Sequence, residues 1–233
     1  MVLQVQEGLL TTLRPRVLAA TAVPAERDAV ARALTGEGIS VIAVGVGPAR
    51  AAAHTATALA AAALAGTPYD LVVSAGIGGG FQPEAPVGSL VLADEITAAD
   101  LGAETSDGFL PVTELGFGTV THRPPDALVR DLATAAGALT GTVLTVSTVT
   151  GTAARAAQLR ARHPRALAEA MEGFGVAEAA AAHHLPVLEI RAVSNPVGPR
   201  NRAAWRIGDA LTALTAGFAK FAPVLESWNP HES

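Results

Sequence analysis

The chain has 233 residues, 21 acidic and 16 basic, and its formal charge of −5 excludes the surplus of Lys and Arg with which proteins neutralise nucleic-acid phosphates. Half of the residues are hydrophobic and none is cysteine, which removes disulfides, thiolate metal sites, thiol nucleophiles and iron–sulfur clusters together. The length suits one domain over 1–233, with 1–15 as a peripheral extension, and a cytoplasmic address is the default.

Met1 to Arg16 carries Gln4, Gln6 and Glu7 where a signal peptide needs a basic and then an apolar stretch, so export is not expected. A first short apolar run, Arg16–Val23, predicts a strand and is followed by a helix over Ala25–Leu34. Strand Ser40–Gly45 precedes a helix over Ala49–Leu64. The long uncharged stretch Ala51 to Tyr69 is mostly alanine and threonine and contains His54, Gly66 and Pro68, so it predicts a buried or subunit-facing helix, not a membrane span. Strand Asp70–Ser74 leads into a glycine-rich stretch, and strand Ser89–Ile96 into Ala99–Thr121, which reads as a loop covering the site or lying on the surface. Helix Pro125–Ala136, strand Val143–Val149, helices Ala153–Arg162 and Arg165–Ala182, strand Val187–Val193 and helix Arg202–Phe221 complete the chain.

Strands this short and nearly continuously apolar are expected where helices cover both faces. The alternation predicts an α/β fold: a single domain whose twisted central sheet, mostly parallel but mixed, is flanked by helices.

Spacing eliminates several chemistries. Gly76-Ile77-Gly78-Gly79-Gly80-Phe81 places Phe81 where G-x-G-x-x-G requires its last glycine, no P-loop sequence occurs, and Val72-Val73-Ser74-Ala75-Gly76 lacks the first glycine of a nucleophile elbow. Adjacent His183 and His184 point to different sides of a helix and have no H-E-x-x-H around them, so no metal is expected. Three strand ends remain that deliver polar or glycine-rich elements: Val23-Pro24-Ala25-Glu26, Ser74 through Gly80, and Ser194-Asn195-Pro196. Ligands of open α/β sheets bind beyond such ends.

Leu18–Glu26, Gly45-Val46-Gly47-Pro48, Ser74–Gly80, Val91–Glu95 and Ala170-Met171-Glu172, taken in order, resemble the nucleoside phosphorylase and nucleosidase superfamily over about Arg16 to Trp228. Methylthioadenosine/S-adenosylhomocysteine nucleosidases carry Ser-Asp after the last strand. Here Ser194-Asn195-Pro196-Val197-Gly198-Pro199-Arg200 looks like the branch that releases hypoxanthine from futalosine in menaquinone biosynthesis.

The resemblance implies hydrolysis of an N-glycosidic bond without cofactor or metal. Glu26 would be the general base for water, although a carboxylate at a helix start also suits the helix dipole. Glu172 would accept from the ribose 2′ and 3′ hydroxyls. On the helix predicted over Arg165–Ala182 it shares an apolar face with Ala168, Gly175, Val176 and Ala179 and needs a partner there. Met171 would lie against the ribose or fill a core gap, and the backbone of Ala75, Gly76 and Ile77 would approach the nucleoside.

Asn195 offers two N–H donors to the adjacent N7 and O6 acceptors of hypoxanthine, or else caps the following helix. Arg200 or Arg202 would meet the carboxylated tail of futalosine. With no Arg in Ser74–Gly80, and Arg50 the candidate cation nearest a matching turn, hydrolysis is expected over phosphorolysis. The expected partners are a small purine nucleoside and further copies of the chain, at least a dimer, with neither nucleic acid nor membrane. An adenine-specific nucleosidase, a phosphorylase, or a regulatory module that binds nucleosides without catalysis are the alternatives.

Overall fold

All six apolar runs yield strands in the computed structural model, which describes residues 14–229. The expected N-terminal extension lies outside these residues except for 14 and 15. No helix among the described residues is long and apolar enough to cross a membrane.

Strand β1 (Val17–Thr21) pairs in parallel with β2 (Ile39–Ala43) on one side and with the first half of β3 (Leu71–Gly80) on the other. β3 runs parallel to β10 (Val187–Pro196), and its last two residues pair antiparallel with β9 (Ala166–Ala170). β10 pairs antiparallel with β4 (Leu90–Ala98), which is parallel to β8 (Leu139–Thr145), itself parallel to β9. Strands β3, β10, β4, β8 and β9 therefore close a ring from which β1 and β2 extend.

Helices cover both faces, and strand alternation shows it. Val17, Ala19, Leu71, Val73 and Ala75 join one core with α1 (Pro24–Ala31), α3 (Asp126–Ala136) and α6 (Ile207–Ser227). Leu18, Ala20 and Val72 turn the other way, against α2 (Pro48–Leu64) and α5 (Gly173–Ala182). Apolar residues at every strand position are what two covered faces require.

Four expectations are corrected. The helix predicted over Arg165–Ala182 is strand β9, a turn at Met171–Glu172, and then α5. Ala166–Ala170 has helix-forming composition, yet hydrogen-bonded ladders to β8 and β3 outweigh that local preference. The strand predicted to end at Ser74 continues through the glycine-rich stretch to Gly80 as β3. Ala99–Thr121 contains a hairpin, β5 (Gly102–Thr105) with β6 (Gly108–Pro111), and ends at β7 (Thr121–His122), which pairs with β4. After β10, Arg202–Ala204 forms one 3-10 turn and α6 begins only at Ile207. The remaining helix, α4 (Ala153–Arg162), lies where expected, with Leu159 in a third apolar cluster beside Phe81 and Leu144.

Helices α2 and α5 approach so closely that a methyl on Gly175 would overlap the Pro48 carbonyl oxygen. Gly175→Ala is expected to destabilise the fold by about 1–3 kcal/mol, because backbone cannot yield as a side-chain tip can. Urea unfolding measures it, and an unchanged midpoint would contradict the close packing.

Candidate active site

Glu26 enters the first turn of α1 with its side chain folded back towards β1. Its Oε2 accepts from the N–H groups of Ala22 (2.9 Å) and Val23 (3.2 Å), and its Oε1 from Ile77 N–H (2.9 Å). Burial pushes its pKa above the ordinary carboxylate value. Arg191 and the Ile77 and Val23 N–H groups pull downward, but not by enough to cancel burial, and Glu172 adds to the rise.

The charge that faces this acid is Arg191, which lies in none of the sequence motifs. The side chain is 1% exposed. It stands on β10 opposite Gly76, and a methyl on Gly76 would come within 2.6 Å of both Arg191 Nη1 and Glu26 Oε1. Gly76 is therefore a gap through which acid and guanidinium face each other. Arg191 Nη2 donates to Ser74 Oγ (2.8 Å), Nε to Glu189 Oε1 (2.9 Å), and Nη1 lies 3.5 Å from Glu172 Oε2. Burial works against the guanidinium charge, but Glu189, Glu172 and Glu26 together raise its pKa further above the usual value.

Glu172 is not on a helix stripe. It immediately precedes α5, and its Oε1 accepts from Gly47 N–H (3.2 Å), so the Gly45–Pro48 turn and the Met171–Glu172 turn meet at this carboxylate. A cavity of about 270 Å³ is lined by Pro48, Ala49, Thr145, Phe174 and Gly175 among others, and Glu26, Glu172, Arg191 and Asn195 are not in that lining. Met171, next to Glu172 in the chain, is half-buried. Glu172→Gln keeps the shape but weakens acceptance from a diol. It is expected to lower kcat/KM about 10–100-fold on a ribonucleoside and much less on its 2′-deoxy analogue, a coupling that a double-variant cycle on enzyme and substrate reads directly. Equal losses on both substrates would remove Glu172 from the sugar.

Further along the same strands, Asn195 lies opposite Gly79 just past a bulge in β10. Its Oδ1 accepts from Ser194 Oγ (2.9 Å) and its Nδ2 donates to Pro196 O (3.0 Å). It belongs to a strand and no helix follows it directly, so the capping alternative falls. On the other side of Gly79 stands Glu169, whose carboxylate accepts from Thr150 N–H (2.7 Å) and Thr150 Oγ1 (2.5 Å) and pins the loop after β8.

The structure thus gathers Glu26, Gly76, Ile77 and Glu172 around Arg191. Ala75 is buried in the core on the opposite face, while Arg50, Arg200 and Arg202 are exposed and outside the cluster. The Arg200 guanidinium lies 5.7 Å from the Trp205 ring centroid, and the Arg200 backbone N–H donates to Gly151 O (3.2 Å). Among the described residues no group of His, Asp and Glu is arranged to hold a metal.

Buried acids on facing elements around one guanidinium are the kind of cluster in which functional sites are sought. Residues 11–223 match the model of the phosphorylase superfamily, and the chain belongs to that superfamily. It is 73% identical over 232 residues to a futalosine hydrolase from Streptomyces coelicolor, covering 93% of this chain and 99% of that one. A futalosine hydrolase from Acidothermus cellulolyticus is 45% identical over 161 residues, covering 67% and 66% of the two chains. The fold is shared with a crystal structure of a methylthioadenosine/S-adenosylhomocysteine nucleosidase from Colwellia psychrerythraea in complex with adenine, at a TM-score of 0.74 and 20% identity over 91% and 95% of the chains.

Proposed function

We infer that the chain hydrolyses the N-glycosidic bond of futalosine, releasing hypoxanthine and dehypoxanthinyl futalosine in menaquinone biosynthesis. The identity of 73% along nearly the whole length of a futalosine hydrolase carries this reading. In the reaction the bond from C1′ to the purine breaks as the ribose gains cationic character. Water adds its oxygen to C1′ and passes a proton to Glu26, the purine keeps the bond's electron pair and takes a proton from solvent, and Glu26 then returns its proton to solvent. Glu172 holds the diol and lends negative charge to the sugar, while Asn195 donates to hypoxanthine.

The test is to incubate futalosine, inosine and methylthioadenosine, each with and without phosphate, and to separate free bases by chromatography. Hypoxanthine from futalosine without phosphate is expected. Strict phosphate dependence would make the protein a phosphorylase, and adenine from methylthioadenosine alone would make it the adenine-specific nucleosidase.

Arg200 is the cation we assign to the carboxylated tail. Arg200→Ala is expected to raise KM about 5–10-fold for futalosine, as one exposed charge-assisted contact allows, and to leave inosine unchanged. Equal effects on both would release Arg200 from that role. A homo-oligomer fits the exposure of the apolar side chains of Val46, Leu101, Leu115 and Phe117. Sedimentation that returned a monomer would refute it. A soluble nucleoside substrate suits the cytoplasm.

A further inference from the structure

Glu189 is buried completely, at 0% exposure, in the middle of β10. Strand alternation puts it on the same face as Arg191, with Val187 and Val193 on either side of the pair in the α2/α5 core. Its Oε1 accepts from Arg191 Nε, and its Oε2 has no hydrogen-bond partner among the described residues. A methyl on Gly173, the first residue of α5, would overlap this carboxylate. The fold therefore leaves out a side chain to house an acid that burial disfavours, where an apolar residue would stabilise the core at lower cost. Arg191 is the group that gains: Ser74, Glu172 and Glu189 hold its fork at three of its nitrogens from three elements.

We propose that Glu189 is a positioning residue of the hydrolysis, holding the Arg191 guanidinium from beneath so that it stays between Glu26 and Glu172. The role rests on the reading of those two acids as the reacting groups and adds a support to it. Without that anchor the guanidinium can rotate away from Glu26, and the site loses its fixed positive charge.

Glu189→Leu removes the acceptor, whereas Glu189→Gln keeps an oxygen for Nε. With futalosine as substrate, Glu189→Leu is expected to lower kcat about 10–100-fold, as outer supports of active sites do, with KM little changed. Glu189→Gln should restore kcat to within a few-fold of wild type. Without substrate, NMR should find the Arg191 Nε–H, assigned by its loss in Arg191→Lys, exchanging slowly in wild type and Glu189→Gln and fast in Glu189→Leu. If Glu189→Leu does not fold, Gly173→Ala, whose methyl presses on the same carboxylate, replaces it with the same expected losses. Wild-type kcat in Glu189→Leu, equal losses in both Glu189 variants, or identical Nε–H exchange throughout would overturn the proposal. If wild type releases no hypoxanthine from futalosine, the functional reading fails, and the exchange measurement still decides whether Glu189 holds Arg191.

Discussion

Replacing Glu26 by glutamine is expected to lower kcat for futalosine by about 10²–10⁴-fold, the contribution of a positioned base. A carboxylate can accept at both oxygens, as Glu26 does from Ala22, Val23 and Ile77. An amide turns an N–H towards one of these donors, so the variant should also lose about 1–3 kcal/mol of stability. Two readouts separate the effects: urea unfolding measures the second, and the pH profile isolates the first. Burial holds the Glu26 pKa above the ordinary range, so the acid limb of kcat/KM should lie above a normal carboxylate's and vanish in Glu26→Gln. The same shift fixes the sign for stability. An acid whose folded pKa is raised favours the folded state below its unfolded value, and that contribution is lost as pH rises through the folded value. Activity should therefore rise while this contribution to stability falls across one pH window. A Glu26→Gln variant within tenfold of wild type would remove Glu26 from the chemistry.

Asn195→Asp should exchange preference between purines. Ser194 Oγ holds Oδ1, so the amide presents its NH₂, one hydrogen going to Pro196 O and the other left for a ligand. Hypoxanthine offers only acceptors on that edge, and an ionised carboxylate would oppose them. The loss on futalosine is expected to be about 10–100-fold. A protonated aspartate donates a single hydrogen to N7, which 6-aminopurine nucleosides share, so their release should hold or improve. Assays on futalosine and its 6-amino analogue decide, and equal losses on both would mean that Asn195 reads neither.

The sequence disclosed the layers of this fold because strands buried on both faces are continuously apolar and the helices between them are rich in alanine. Neighbouring residues in chain order pointed to Glu26, Glu172 and Asn195, and the structure brings the first two to Arg191. The sequence hid β9, since Ala-Leu-Ala-Glu-Ala prefers a helix and only ladders to distant strands override it. It also hid Arg191 and Glu189, although a signal was present: two charges, two residues apart, inside a run that otherwise reads as pure core strand. Charges at that spacing share one face of a strand, and burial obliges them to find each other or a third group. The cause of the β3 glycines is visible only after folding: Gly76 leaves room for Glu26 and Arg191, Gly78 for the Glu169 carbonyl, Gly79 for Val197 and Asn195, and Gly80 for the Ala85 carbonyl and Val193.

The closed ring also governs how the molecule can be made. β10 lies more than a hundred residues after β3 in sequence, yet it joins β3 to β4 and brings Arg191 to Glu26. Until β10 has left the ribosome, β3 and β4 keep bare edges, open to pairing with other nascent chains, and no functional centre exists. So distant a closure slows folding, because the entropy of bringing β10 back must be overcome before its contacts form.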